Sequence, residues 1–269
     1  MKGIILSITS DIATEMALQW DKAGWNILGS YHSKQKNYLK LTEKHIPLIH
    51  CDFSSSNSVE TAALELASLG KRWDFLIFAA GTQSPIGAFE KISINEWIHA
   101  IHINFLNQIK LLHLLLPYRS PSSVEKSVLF FAGGGTNNTV DYYSSYTVSK
   151  IALIKMCELL DSEIKDVKFS IIGPGWVKTK IHQTTLYAGE ESAGPNFEKT
   201  KEKLTSDECV PISKVIDSFE WVLSQPKEIV GGRNFSTVFD RLGTEELVHL
   251  LAQDTNMYKL RRSGNNILT

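Results

Sequence analysis

The sequence predicts an α/β fold, a doubly wound parallel sheet in a single domain, and three observations lead there. Short apolar runs alternate with longer segments of helical periodicity through most of the 269 residues. Some of these runs are apolar almost throughout, as strands buried on both faces are. The residues that follow the runs are small, polar or glycine, which is the character of the carboxyl strand ends where such sheets bind ligands.

In chain order, Gly3 to Ile8 is a short apolar run that gives way at Thr9-Ser10-Asp11 to a helix over Ile12 to Ala23. Trp25 to Tyr31 is a second strand, Ser33 to Lys44 a polar helix, and Ile46 to His50 a third strand ending at Cys51-Asp52-Phe53. Ser54 to Gly70 opens on serines and closes on glycine, as a capped helix does. Trp73 to Ala80 is a fourth, nearly continuous apolar strand. Ile94 to Leu116 is helical, either two helices or one bent helix, and Pro117 closes it. Ser127 to Ala132 is a fifth strand, Tyr142 to Ile164 a long helix, and Val167 to Ile172 a sixth strand that runs into Gly173-Pro174-Gly175.

His182 to Glu208 is polar and broken at Gly189, Gly194 and Pro195; its length suits a mobile substrate lid better than an ordinary connection. Pro211 to Leu223 is helical, Gly231 to Ser236 leads through a last strand, and Glu245 to Gln253 reads as a short helix within a C-terminal extension over 243–269. The tail after Asn256 is expected to be mobile unless a partner subunit orders it.

A net charge of −1 gives no basic excess for nucleic acid or an anionic membrane surface, and no run reaches the ~18 apolar residues of a membrane span. The three cysteines, Cys51, Cys157 and Cys209, are odd in number, far apart and without zinc spacing, so reduced thiols in a cytoplasmic protein are expected. His99 and His102 lie at helical spacing without a third ligand, so no metal site is predicted. Lys199-Thr200-Lys201-Glu202-Lys203 reads as a solvated helical face.

The long helix carries the chemistry. Tyr146 and Lys150 stand four apart, on one helical face, where a cation near a phenol favours tyrosinate and lowers its pKa from ~10. By itself such a pair is something chance nearly supplies. Its place in an ordered set is more specific: Asp52 after the third strand, Ala79-Ala80-Gly81 after the fourth, Asn104 in the next helix, Tyr146-xxx-Lys150, then Pro174-Gly175-xxx-Thr179.

In this ordered set the chain resembles the short-chain dehydrogenase/reductase family from Lys2 to about Asp240. The resemblance implies a Rossmann-type fold and an oxidoreductase moving a hydride between a nicotinamide cofactor and a carbonyl or alcohol substrate. Tyr146 would be the general acid or base, Lys150 would hold the nicotinamide ribose, and Asn104 would anchor a water in a proton relay; Asn107 is the weaker candidate for that role. Ser7, Thr9, Ser10, Asp11 and Ile12 would lie at the pyrophosphate. Asp52 and Phe53 would meet the adenine, Ala79, Ala80 and Gly81 the floor of the cofactor, and Pro174, Gly175, Val177 and Thr179 the nicotinamide. Tyr31, His32 and Ser33, with Lys34 and no acid beside them, suit the 2′-phosphate of NADP, with NAD also open. A homodimer or homotetramer through the helices of Asn104 and Tyr146 is implied as well.

The chain departs from the family twice. A serine 12–14 residues before the tyrosine normally donates to the substrate oxygen; here those positions are Gly134, Gly133 and Ala132, and the first hydroxyl is Thr136. Either backbone N–H groups of this loop or Thr136 folding back would have to substitute, and these residues with Trp176 are the expected substrate contacts, although Trp176 equally suits simple packing. The first turn, normally Gly-xxx-Gly-x-Gly, carries Ser7, Asp11 and Ala13, so Asp11 either places a negative charge beside the pyrophosphate or caps the helix, the favoured reading. A rival reading follows from both departures: a weakly catalytic nucleotide-binding sensor or scaffold. Gly231 to Ser236, Val238 to Asp240 and Tyr258 to Arg262 also resemble bacterial members linked to surface-polysaccharide sugars, which adds a sugar derivative to the candidate substrates.

Overall fold

The computed structural model describes residues 1–69, 72–121, 125–206 and 208–263. Its first half runs β1 (Lys2–Leu6), α1 (Asp11–Lys22), β2 (Asn26–Tyr31), α2 (Lys36–Glu43), β3 (Leu48–His50), α3 (Ser56–Ser68) and β4 (Phe75–Phe78). α4 (Ile94–Ile101) and α5 (Asn107–Leu115) follow, then β5 (Lys126–Phe131), α6 (Ser144–Glu163) and β6 (Val167–Gly173). The remainder is α7 (Gln183–Ala193), α8 (Pro195–Thr205), α9 (Ile212–Ser224), α10 (Lys227–Val230), β7 (Asn234–Ser236) and α11 (Glu245–Gln253).

Every strand pair is parallel, and the order across the sheet is β3-β2-β1-β4-β5-β6-β7. The chain thus winds outward from β1 to β3, crosses back beside β1 as β4, and winds outward the other way. Ligand clefts open at this reversal of direction. The expected α/β doubly wound sheet is the observed one.

Alternation along the strands sorts the core into two layers. Ile4 and Leu6 of β1 with Val128 and Phe130 of β5 pack with Val59, Leu111 and Leu153 of α3, α5 and α6. Ile5 and Leu129, pointing the other way, pack with Met16, Trp20 and Phe219 of α1 and α9. Gly3 serves this second layer, since a Cβ there would stand 2.0 Å from the Phe75 ring.

Differences from the expected boundaries have local causes. β1 stops at Leu6 because Ser7 takes a φ of 59°, which turns the chain out of the strand. α3 is capped by the Ser55 hydroxyl, which accepts from the Ser58 N–H at 3.3 Å. Gly70, its expected terminator, lies outside the described residues. The 94–116 segment is indeed two helices, joined by a π-helical turn over His102–Leu106. The expected lid region forms the paired helices α7 and α8, with Gly189 kinking α7 at a φ of 79°. Position 207 of that region and positions 264–269 of the expected C-terminal extension and tail lie outside the described residues.

Helix C-termini on the β6–β7 side are closed by two cations, the half-buried Lys227 and the buried Arg233. Lys227 donates to the carbonyls of Ile164 and Val167 and to Asp161 Oδ1 at 2.7 Å, beyond the end of α6. Arg233, 2 % exposed, donates to the carbonyls of Leu251, Asp254 and Met257 at the end of α11. These bonds place positive charge on carbonyls at and just beyond the two helix ends.

Candidate active site

A cleft of ≈ 1070 Å³ opens at the carboxyl ends of the strands. Of the residues expected there, Ser10, Asp11, Ile12, Ala79, Ala80, Gly81, Ala132, Gly133, Gly134, Tyr146, Lys150, Pro174, Gly175, Trp176, Val177 and Thr179 line it. Ser7, Thr9, Tyr31, His32, Ser33, Asp52, Phe53, Asn104 and Thr136 do not.

At the centre Lys150, buried on α6, donates to the Phe131 carbonyl at 2.8 Å, and its Nζ lies 5.7 Å from the centre of the Tyr146 ring. The expected lowering of the tyrosine pKa is not what this arrangement gives. Burial pushes the Tyr146 phenol up to about 12 and brings the Lys150 ammonium down to about 8. Desolvation outweighs the pairing, because the ammonium is turned to a carbonyl and not to the phenol oxygen. Tyr146 is therefore a protonated phenol at neutral pH.

Asn104 is fully buried in the π-helical turn. Its Oδ1 accepts from the Thr82 N–H and its Nδ2 donates to the Thr82 carbonyl, both at 2.8 Å, so it fixes the main chain just after Gly81. Gly81 then meets both partners: a Cβ there would lie 3.7 Å from Asn104 Oδ1 and 3.7 Å from Lys150 Nζ. Asn107 is structural, donating to the Phe53 carbonyl at 2.8 Å. Ser144 and Ser145 do not supply the missing donor, since Ser144 accepts from the Trp97 indole at 3.0 Å and Ser145 is buried outside the cleft lining.

At one of the three positions open to the absent serine, Gly133, the loop after β5 leaves no room for a side chain. A Cβ at Gly133 would stand 2.6 Å from Tyr146 Cε1 and 2.8 Å from its hydroxyl, so Tyr146 fills the space a side chain would take. At Gly134 the nearest atom to a Cβ would be Val140 Cγ2 at 3.8 Å, an ordinary van der Waals contact that leaves room for a side chain. Thr136 stays away from the cleft.

The first turn corrects the reading of Asp11. The N-cap of α1 is Ser10, which makes no capping bond, and Asp11 is not a cap. Its Oδ1 accepts from Asn37 Nδ2 at 3.0 Å and its Oδ2 from the Lys180 N–H at 2.8 Å, so both oxygens are committed to α2 and to the loop after β6. With no side chain capping α1, its first-turn amides are left for an anion. Lys180 crosses the same turn, its Nζ 3.4 Å from the Thr9 carbonyl. Together with the cleft volume and the open floor at Gly81, these features fit a dinucleotide.

Beyond the ends of β2 and β3, outside the cleft lining, His32 lies 3.8 Å from Asp52. Burial works to raise the Asp52 pKa, but the Ser54 side chain and N–H, with His32 and His50 nearby, hold it below the usual carboxylate value. The Asp52 oxygen that accepts from Ser54 N–H at 2.8 Å shapes this turn.

The substrate side shows residues that the sequence did not single out. Tyr143, one helical turn before Tyr146, bonds Thr185 of α7 through its hydroxyl at 2.7 Å, and Thr184 donates to Gln83 at 3.1 Å. The i, i+3 spacing of the two tyrosines was the available signal. Trp176 lines the cleft and also packs, stacking on His182 with ring centres 3.7 Å apart and planes 6° from parallel. Burial lowers the His182 pKa despite its bond to the Val177 carbonyl, so this plate is uncharged. Lys199 and Lys203, expected on a solvated face, also border the cleft.

A doubly wound sheet with a Tyr-xxx-Lys pair at the switch-point cleft and an anion-ready first helix defines a nucleotide-binding oxidoreductase class. The chain belongs to the short-chain dehydrogenase/reductase family, and the family model described as enoyl-(acyl carrier protein) reductase matches residues 7–234. It is 29% identical over 128 residues to the human mitochondrial dehydrogenase/reductase SDR family member 2, covering 47% of this chain and 44% of that one. The matched stretch thus spans less than two thirds of the first curated relatives, 44% and 61% of their lengths. A short-chain dehydrogenase/reductase structure from Saccharomyces cerevisiae superposes with a TM-score of 0.80 at 18% identity, over 90% of this chain and 98% of that one. A short-chain dehydrogenase from Shigella flexneri, complexed with NADP, superposes with a TM-score of 0.70 at 15% identity, over 88% and 96%.

Among the described residues no helix is long and apolar enough to cross a membrane, and Cys51, Cys157 and Cys209 are free thiols.

Proposed function

We propose that the protein reduces a small-molecule carbonyl to an alcohol with NADPH, with NADH as a poorer donor. The observation that carries this reading is a half-buried, protonated Tyr146 beside Lys150 and Gly81. A reduced nicotinamide dinucleotide, when bound, supplies the hydride and its electron pair to the carbonyl carbon.

The chain's own residues do the rest. Tyr146 gives its phenolic proton to the oxygen as the carbon takes the hydride, and regains a proton from solvent. Lys150 holds the ribose hydroxyls while its ammonium stabilises the transient phenolate. Asn104 positions Gly81 and Thr82 under the cofactor. His32, Ser33 and Lys34 at the end of β2, without an acid beside them, favour the 2′-phosphate of NADP.

α7 and α8 act as the substrate lid, tied to the site through Tyr143–Thr185 and Thr184–Gln83. The flat Trp176–His182 plate suits either the apolar face of a sugar derivative or an aryl ketone. Exposed Ile98, Leu106 and Val148 on α4, the π-helical turn and α6 suit burial between copies in a homodimer or homotetramer. The free thiols suit a reducing, cytoplasmic setting.

Titrating NADPH and NADH against intrinsic tryptophan fluorescence, with turnover followed by nicotinamide absorbance on benzil and sugar-derived ketones, tests the reading. It expects NADPH to bind at least about tenfold more tightly than NADH, a 1.4 kcal/mol difference. Cofactor binding without turnover on any carbonyl would favour the sensor or scaffold.

A further inference from the structure

We propose that the peptide N–H groups of Gly133 and Gly134 polarise the substrate oxygen, in the role the family gives to a serine hydroxyl. The inference rests on the carbonyl-reductase reading above.

The β5–β6 ladder ends with the Ala132 N–H donating to the Ile172 carbonyl at 2.9 Å. The next two amides, those of Gly133 and Gly134, make no hydrogen bond to any described residue, yet both residues line the cleft. Gly133 is half-buried and Gly134 exposed, so both amides are open to water or a ligand. Gly133 also lies against the reacting hydroxyl, its absent Cβ 2.8 Å from the Tyr146 oxygen. A carbonyl oxygen receiving the Tyr146 proton is thereby brought to the same stretch of main chain.

Several hydroxyl groups near the site lie away from the cleft or are paired with other side chains. Thr136 does not reach the cleft. The Tyr143 hydroxyl is paired with Thr185, and Thr184 donates to Gln83 and to the Ile181 carbonyl. Thr147 lines the cleft and has an unpartnered, buried Oγ1, which lies against Gly135, 3.4 Å from where a Cβ there would stand, one residue beyond the two free amides. The loop is held from below as well, because Lys150 takes the Phe131 carbonyl. Two amides fixed in this way act as preorganised dipoles aimed at a developing oxyanion.

The test compares Gly134→Pro, which deletes one N–H, with Gly134→Ala, which keeps it, using benzil and NADPH. The expected result is a kcat for the proline variant about 10²-fold below the alanine variant, with similar NADPH affinity in both. Gly134→Ser, whose hydroxyl has room, is expected to give no more than a threefold gain over Gly134→Ala. A tenfold or larger gain would mean that a donor is missing, and would overturn the proposal.

A second readout is independent of turnover and of the proline. The infrared carbonyl stretch of labelled benzil, bound with NADP⁺, should shift to lower wavenumber and keep most of that shift in Tyr146→Phe. Loss of the whole shift in Tyr146→Phe would assign polarisation to the tyrosine alone. If the unsubstituted protein binds NADPH but reduces no carbonyl, the carbonyl-reductase reading itself fails.

Discussion

Restoring the family's usual serine at Gly133 should damage this protein. A Cβ there would meet Tyr146 Cε1 at 2.6 Å, its hydroxyl at 2.8 Å and Cζ at 2.9 Å. Carbon contacts settle near 3.5–4.0 Å, so the ring or the loop has to give by about 1 Å. The ring has little freedom, because Tyr146 packs against the cluster of Ile86, Tyr143 and Ala193. A displacement of 1 Å at a reacting group costs on the order of 10² in rate, and overpacking costs about 1–3 kcal/mol of stability. Gly133→Ala and Gly133→Ser should therefore both lower kcat by about 10²-fold on benzil, with NADPH affinity little changed. Steady-state kinetics with thermal melting checks both numbers. A Gly133→Ser variant that turns over faster than the unsubstituted protein would refute the steric account, and with it the placement of Tyr146.

Two further predictions concern Lys150. Its folded pKa of about 8 lies below the ordinary lysine value of 10.5, so between these values the unfolded chain binds more protons. Stability therefore rises with pH through that window, and the buried ammonium is destabilising below it, by on the order of 3 kcal/mol. Lys150→Met should abolish turnover yet raise the melting temperature at pH 7 by a few degrees, since losing the bond to Phe131 offsets only about 1 kcal/mol. The same pKa predicts that kcat for carbonyl reduction is flat near neutrality and falls as pH rises through about 8 when Lys150 loses its proton. A pH–rate profile of the unsubstituted protein, taken with saturating NADPH, checks this.

The sheet was legible in the sequence because both faces of the central strands are covered, which forces continuous apolar runs such as that containing Phe75–Phe78. The Tyr146–Lys150 pair was legible because helical spacing alone puts both on one face. Their protonation was not, since it depends on burial and on which carbonyl Lys150 meets, and a sequence carries neither. Asp11 was misread for a related reason: its partners, Asn37 and Lys180, come from distant elements, and local capping preference could not anticipate them. The glycines at 133 and 134 stood out in the sequence as a departure. Only the position of the Tyr146 ring distinguishes the one that must be glycine from the one with room for a side chain.

The account stands most directly on the proton from Tyr146. Single-turnover reduction of benzil by NADPH in Tyr146→Phe, beside the unsubstituted protein at pH 7, measures it. The account predicts unchanged NADPH binding and a loss of at least 10²-fold in the chemical step, the contribution of a positioned general acid. A phenylalanine variant that reduces benzil at the unsubstituted rate would contradict it.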